Sequence, residues 1–203
     1  MMRRGPILLL LTALALSAGS ALALARAPDL TEALRWIIRG TARTSLALFL
    51  LAFLAAPLQT LWPSVAATGL LRVRRWLGLS FALSHAVHGV AIIGLAQHAP
   101  ALFWTLTNPG SIVSGGMAYG FILLMAATSW NGAARWRGGR PWRALHRTGL
   151  WFLWISFAVA FGKRVPVDPL YGVALGLLAV AGLLRLAAFC TKRRRKAEIL
   201  AQG

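Results

Sequence analysis

The chain has 203 residues, 58% of them hydrophobic, and sets 22 lysines and arginines against only 4 acidic residues, for a net charge of +18. A mean hydropathy of +0.67 lies far from soluble domains, and the basic residues sit between apolar runs of bilayer-spanning length, so the charge belongs to membrane-protein loops rather than to a nucleic-acid binder. The single cysteine, Cys190, excludes an internal disulfide or a CxxC site, and no dinucleotide or P-loop glycine motif is present for a nicotinamide reaction.

Residues 7–25 form the first apolar run, after Arg3 and Arg4. The run reaches the roughly 20 residues that a span needs, although Ala23-Leu-Ala25 also resembles a signal-peptide cleavage site. A retained span gives six in all, a cleaved one five, and residue 26 emerges outside in either case. Residues 26–43 mix four arginines with Asp29 and Glu32. Asp29-Leu-Thr-Glu32 marks a helix start, and Leu30, Leu34, Ile37 and Ile38 predict a short interfacial helix on the outer surface.

The second span is expected over 44–63, with Pro57 near its end and Trp62 at the interface. A loop carrying Arg72, Arg74 and Arg75 leads to span three, about 76–96. The loop 98–110 holds no lysine or arginine. Span four covers about 111–130, with Gly110, Gly115, Gly116 and Gly120 spaced for close helix packing. Residues 131–143 are glycine-rich and basic through Arg135, Arg137, Arg140 and Arg143. Span five runs from about Trp142 to Gly162, and Pro166 and Pro169 bracket a turn. Span six covers about 168–189 and is followed by a basic tail, 190–203, containing Lys192-Arg-Arg-Arg-Lys196. With both termini in the cytoplasm, fifteen basic residues lie inside and six outside, the asymmetry that sets orientation. Without repeats or a linker, the chain reads as an all-α six-helix transmembrane bundle forming one domain, 1–203.

Chemistry concentrates in Arg72–His88. Ionisable residues inside a span face the protein interior and act there. At 100° per residue Gly78, Ala82, His85 and Gly89 share one stripe, with His88 beside it. Small residues around an imidazole leave room for a flat group against the backbone, and a porphyrin with an axial histidine suits that space. The other histidines are His98 and His146. His146 lies between Arg143 and Arg147, whose guanidinium groups match carboxylates such as heme propionates.

Arg-Arg-x-Leu-Gly-Leu followed by Ala-Leu-x-His resembles the ferric-reductase-like transmembrane domain family, in particular its heme-binding membrane subunits of bacterial periplasmic methionine sulfoxide reductase systems. Gly40-Thr-Ala-Arg-Thr-Ser, Ala56-Pro-Leu, Thr128-Ser-Trp-Asn and Arg143-Ala-Leu-His-Arg147 extend the likeness over about 28–165. The resemblance implies a multi-pass subunit of the bacterial inner membrane that passes electrons from a cytoplasmic flavin reductase to a periplasmic molybdenum-containing reductase. It also implies an FMN near the basic inner loops. Spans three and five run parallel, so His85 and His146 are expected to ligate one heme b on the cytoplasmic side. Their depths differ by roughly 7 Å at 1.5 Å per residue. His88 is expected as an alternate ligand or hydrogen-bonding partner, with Gly78, Gly89, Arg75, Arg143 and Arg147 completing the cofactor site. His98 has the family's spacing for a second ligand, 13 residues after His85, but ideal geometry rotates it about 140° away, near Pro100. The family's partner position in span five is Val159, so a second heme is not expected. A heme-free structural or assembly protein and a small transporter remain as alternatives, although neither repeated halves nor interrupted helices support the transporter.

Overall fold

The computed structural model describes residues 4–129 and 139–201, of which 89% are helical, with no strand among them. In chain order the helices are α1 (Arg4–Arg26), α2 (Leu30–Leu61), α3 (Val65–His98), α4 (Pro100–Leu106), α5 (Pro109–Ala127), α6 (Arg140–Gly162) and α7 (Tyr171–Ala201). All but α4 are long and apolar enough to cross a membrane. The protein is therefore an all-α, multi-pass membrane protein, as composition implied.

Several boundaries differ from expectation. The predicted interfacial helix is the first part of α2 rather than a separate element. Asp29 caps it, its Oδ1 accepting from the Glu32 amide at 2.8 Å, but nothing then stops it. Gly40 alone costs only about 1 kcal/mol in a helix, and the hydroxyls of Thr41 and Thr44 bond back to Ile37 and Gly40 carbonyls without breaking it. Arg72, Arg74 and Arg75 are likewise helical. The helix begins at Val65, where the Ser64 hydroxyl accepts from the Ala67 amide at 3.1 Å. The loop 98–110 contains α4, and Asn108 Oδ1 caps α5 by accepting from the Ser111 amide, with Pro109 in its first turn. The basic tail continues α7. Arg135 and Arg137, and the Trp130-Asn131 end of the Thr128 motif, lie outside the described residues.

The described chain divides into two packing units. One comprises the residues up to Phe49 together with Arg75–Gly149. Within it, α2 and α3 run antiparallel: Leu34 lies beside Gly94, Thr41 beside His88, Ser45 beside Ser84, and Phe49 beside Phe81. As the number rises in one helix, it falls by nearly the same amount in the other. Phe49, Leu77, Phe81, Ala91 and Leu95 form the buried seam. α5 packs on α3 where Tyr119 covers Gly89, and on α6 where Phe121 and Met125 cover Gly149.

The second unit comprises Leu50–Arg74 and the chain from Leu150 onward. Phe53, Leu153 and Leu178 are its buried centre. The Trp154 indole donates to the Leu178 carbonyl at 2.9 Å and covers Gly182, so α6 and α7 approach closely there. Close packing was expected at Gly110, Gly115, Gly116 and Gly120. Instead, nothing lies within 4 Å of where a Cβ would stand on the last three, and Gly110 meets only Asn108. Spacing of small residues marks a possible seam without saying which helix face has a neighbour.

Candidate functional site

The α2–α3 register sets His88 against two acceptors. Its Nδ1 lies 3.1 Å from the Ile38 carbonyl and 3.0 Å from Thr41 Oγ1. A carbonyl oxygen only accepts, so the partners assign the ring proton to Nδ1. A neutral imidazole then keeps its lone pair on Nε2. The Thr41 hydroxyl donates to the Ile37 carbonyl at 2.6 Å, which leaves its oxygen to accept from His88.

Below His88 on α3, Ser84 and Ser80 follow at intervals of four residues and so share its face. Ser84 donates to the Thr41 carbonyl at 3.2 Å and accepts from Ser45 at 3.0 Å. Thr41 is 4% exposed, and the three serines are fully buried. Burying such hydroxyls is tolerated where they are bonded, and Ser80 Oγ alone among them lacks a partner among the described residues.

His85 sits in a ring cluster. Its imidazole centroid lies 5.3 Å from Phe81, 5.1 Å from His88 and 5.1 Å from Tyr119. The Tyr119 hydroxyl donates to the His85 carbonyl at 2.9 Å. That same hydroxyl occupies the space beside Gly89, whereas nothing lies within 4 Å of where a Cβ on Gly78 would stand, at the other end of the predicted small-residue stripe. His85 and His88 are thus brought together.

His146 is placed by α6 against the other end of α5. Its Nε2 lies 3.2 Å from Thr128 Oγ1, and its ring centroid lies 4.3 Å from Trp142. Thr128 donates to the Leu124 carbonyl at 2.8 Å, so its oxygen accepts and Nε2 carries the proton. The anchor points, Tyr119 on α5 for His85 and Thr128 at its C-cap for His146, are nine residues apart, about 13 Å of helix rise. Arg143 and Arg147 are exposed on α6, and the Arg75 guanidinium lies over the neighbouring Trp76 ring at 5.3 Å. His98 is exposed at the end of α3.

The stretch holding these side chains also carries a family signature. The family model described as ferric reductase like transmembrane component matches residues 41–157, more than half of the chain. The chain belongs to this family. Comparison with curated proteins and with solved structures finds no match. In this ferric-reductase-like chain the matched stretch begins at Thr41 and includes His85, His88 and His146, while α1 and α7 lie outside it. Membership points to a role in membrane electron transfer.

Among the described residues, no group of three or more His, Cys, Asp or Glu gathers around a common point. Heme has different needs, because its porphyrin supplies the equatorial nitrogens and only axial imidazoles must come from the protein. The α3 histidines are of the kind that requirement asks for, while Gly78, two turns before His85, shows only that no atom lies within 4 Å of where its Cβ would stand. Sequence reasoning missed Thr41 and Tyr119 as neighbours of the site. Thr41 stands in the Gly40-Thr-Ala-Arg-Thr-Ser motif, but only the helix register shows that it faces His88.

Proposed function

We propose that the protein is a heme b-binding electron-transfer subunit of a membrane oxidoreductase system rather than a self-sufficient enzyme. The observation that carries this reading is the assigned state of His88. Its Nδ1–H is committed to a backbone carbonyl, which leaves the lone pair on Nε2, inside the family-matched stretch. Metal-ligating histidines usually hold their second ring N–H in this way.

A bound heme would supply a one-electron carrier in a site of low dielectric. On the protein side, the sequence points to His85 as the α3 ligand, whereas the bonded Nδ1–H favours His88 to hold the group, with His85 stacked beside it as the alternative. His146 on α6 is the candidate that would hold the group as a second histidine. Gly78 shares the stripe of His85 rather than the Thr41-facing side of His88, and Arg75, Arg143 and Arg147 are the candidates to neutralise propionates. Val159, 49% exposed on α6, cannot ligate, so one heme per chain is expected rather than two.

The finer assignment follows the sequence resemblance. Electrons would come from a cytoplasmic flavin reductase, through an FMN at the basic inner loops, and leave to a periplasmic molybdenum-containing reductase that repairs methionine sulfoxide. The charge asymmetry supports an orientation with both termini cytoplasmic, and the resemblance implies a bacterial inner membrane. The same Val159 favours one rival, a protein that retains the fold in a structural or assembly role without heme. A pyridine hemochrome assay against protein concentration separates the two. A value near one heme per chain is expected, a value near zero supports the rival, and a value near two overturns the single-heme assignment.

A further inference from the structure

Thr41 is held from several directions at once. Its hydroxyl proton is turned onto its own helix at the Ile37 carbonyl, and its carbonyl accepts from Ser84, which Ser45 braces in turn. With that proton engaged, the Thr41 oxygen offers His88 only lone pairs. Ile38, one turn earlier on α2, offers a second acceptor to the same nitrogen. One acceptor would let the imidazole pivot about its single bond, whereas two fix both its proton and its plane. The hydrogen bonds end on backbone carbonyls, so the network anchors the ring and forms no continuous path for protons.

We propose that Thr41 is a positioning residue: together with the Ile38 carbonyl it clamps His88 in the Nδ1–H tautomer and so presents Nε2 as the donor for heme iron. This rests on the heme reading above and adds a residue with a defined task. A β-branched side chain suits that task, because its restricted χ1 keeps the oxygen aimed across the helix interface. Thr41→Val keeps the shape and removes the lone pairs, while Thr41→Ser keeps the oxygen. Thr44→Val serves as a control, since that exposed hydroxyl bonds back to Gly40 on the same helix.

The tautomer is read by nitrogen NMR of the full, heme-free chain labelled at histidine and held in detergent micelles. His88 is expected as Nδ1–H in the unsubstituted protein, mixed in Thr41→Val and restored in Thr41→Ser. Heme titration should then show retention about ten- to hundred-fold weaker in Thr41→Val, the usual cost of losing a ligand's supporting hydrogen bond, with Thr41→Ser and Thr44→Val close to the original. An Nε2–H tautomer in the unsubstituted chain overturns the proposal without any variant having to fold. Unchanged heme retention in a folded Thr41→Val overturns it as well. A chain that never takes heme sinks the reading of the previous subsection instead, and the tautomer spectrum still decides the clamp.

Discussion

The Arg185 guanidinium donates to the Phe53 carbonyl at 2.7 Å, and Phe53 stands four residues before Pro57 within α2. Proline has no N–H with which to close that turn, so this carbonyl loses its helical partner. Inside a span, water does not replace it, and an unmet carbonyl is costly. Arg185, the sole basic residue of α7 before Lys192, supplies the donor and lies over the Phe53 ring at 4.3 Å from its centroid. A charge in the middle of an apolar helix thus has a structural task.

The relationship predicts coupling between two positions. Arg185→Met should destabilise the protein by about 1–3 kcal/mol, the usual cost of an unsatisfied buried acceptor. Pro57→Ala returns an N–H to the Phe53 carbonyl, so Arg185→Met should cost less in that background. Unfolding in mixed micelles, followed by helical circular dichroism, gives both values in a double-mutant cycle. Equal costs in the two backgrounds would show that Arg185 does not serve the proline-released carbonyl.

Glycines should separate into two classes. A Cβ on Gly89 would stand 2.7 Å from the Tyr119 hydroxyl, and one on Gly182 would stand 2.9 Å from the Trp154 indole. Gly89→Ala and Gly182→Ala are each expected to destabilise by about 1–3 kcal/mol through overpacking. Gly115→Ala and Gly120→Ala meet nothing and should be neutral or stabilising by up to about 1 kcal/mol, since alanine is the better helix former. Thermal melting of the four variants checks the ranking. A destabilising Gly115→Ala would mean that this face of α5 packs against something beyond the chain.

The spans were legible because hydropathy over some 20 residues is a local property, and the caps at Asp29 and Asn108 are local as well. Helix continuity was harder to read. Gly40 and the Arg72–Arg75 cluster look like boundaries in composition, yet neither removes a backbone hydrogen bond, and the helices run through them. Long-range pairing was out of reach. Neither Thr41 facing His88 nor Arg185 facing Phe53 leaves a periodic trace, because each depends on the register between helices far apart in the chain. The His85 and His88 neighbourhood could be anticipated, being separated by a single turn. The different levels at which His85 and His146 meet α5 could be estimated only as a mismatch of depth.

Topology should follow the positive charge. Alkaline phosphatase fused after residue 105, beyond a stretch without lysine or arginine, is expected to be active in the periplasm. Fusions after residues 138 and 200 should be inactive, because basic segments resist translocation. The reverse pattern would invert the membrane orientation and the proposed direction of electron flow.

Ligand identity is decided by single substitutions read in the visible spectrum. Loss of an axial imidazole cannot be compensated by water without a change of spin state. On the proposed assignment His88→Ala should therefore abolish low-spin heme, because the Nδ1 of His88 faces the Ile38 and Thr41 acceptors and the proposed donor is its Nε2. His85→Ala removes a ring stacked 5.1 Å from His88 and should retain low-spin heme in reduced amount. The opposite outcome at these two positions would assign the α3 ligand to His85 instead. His146→Ala tests the second axial position. Thr128 accepts from His146 Nε2, so ligation through that atom requires this bond to break and the ring to turn. The contacts of His85 and His146 on α5 also lie about 13 Å apart along the helix, a span that the two side chains and a helix shift must close together. If they do, His146→Ala should convert the heme to a five-coordinate, high-spin form that His88 still retains. A low-spin spectrum unchanged in His146→Ala would place the opposite ligand elsewhere.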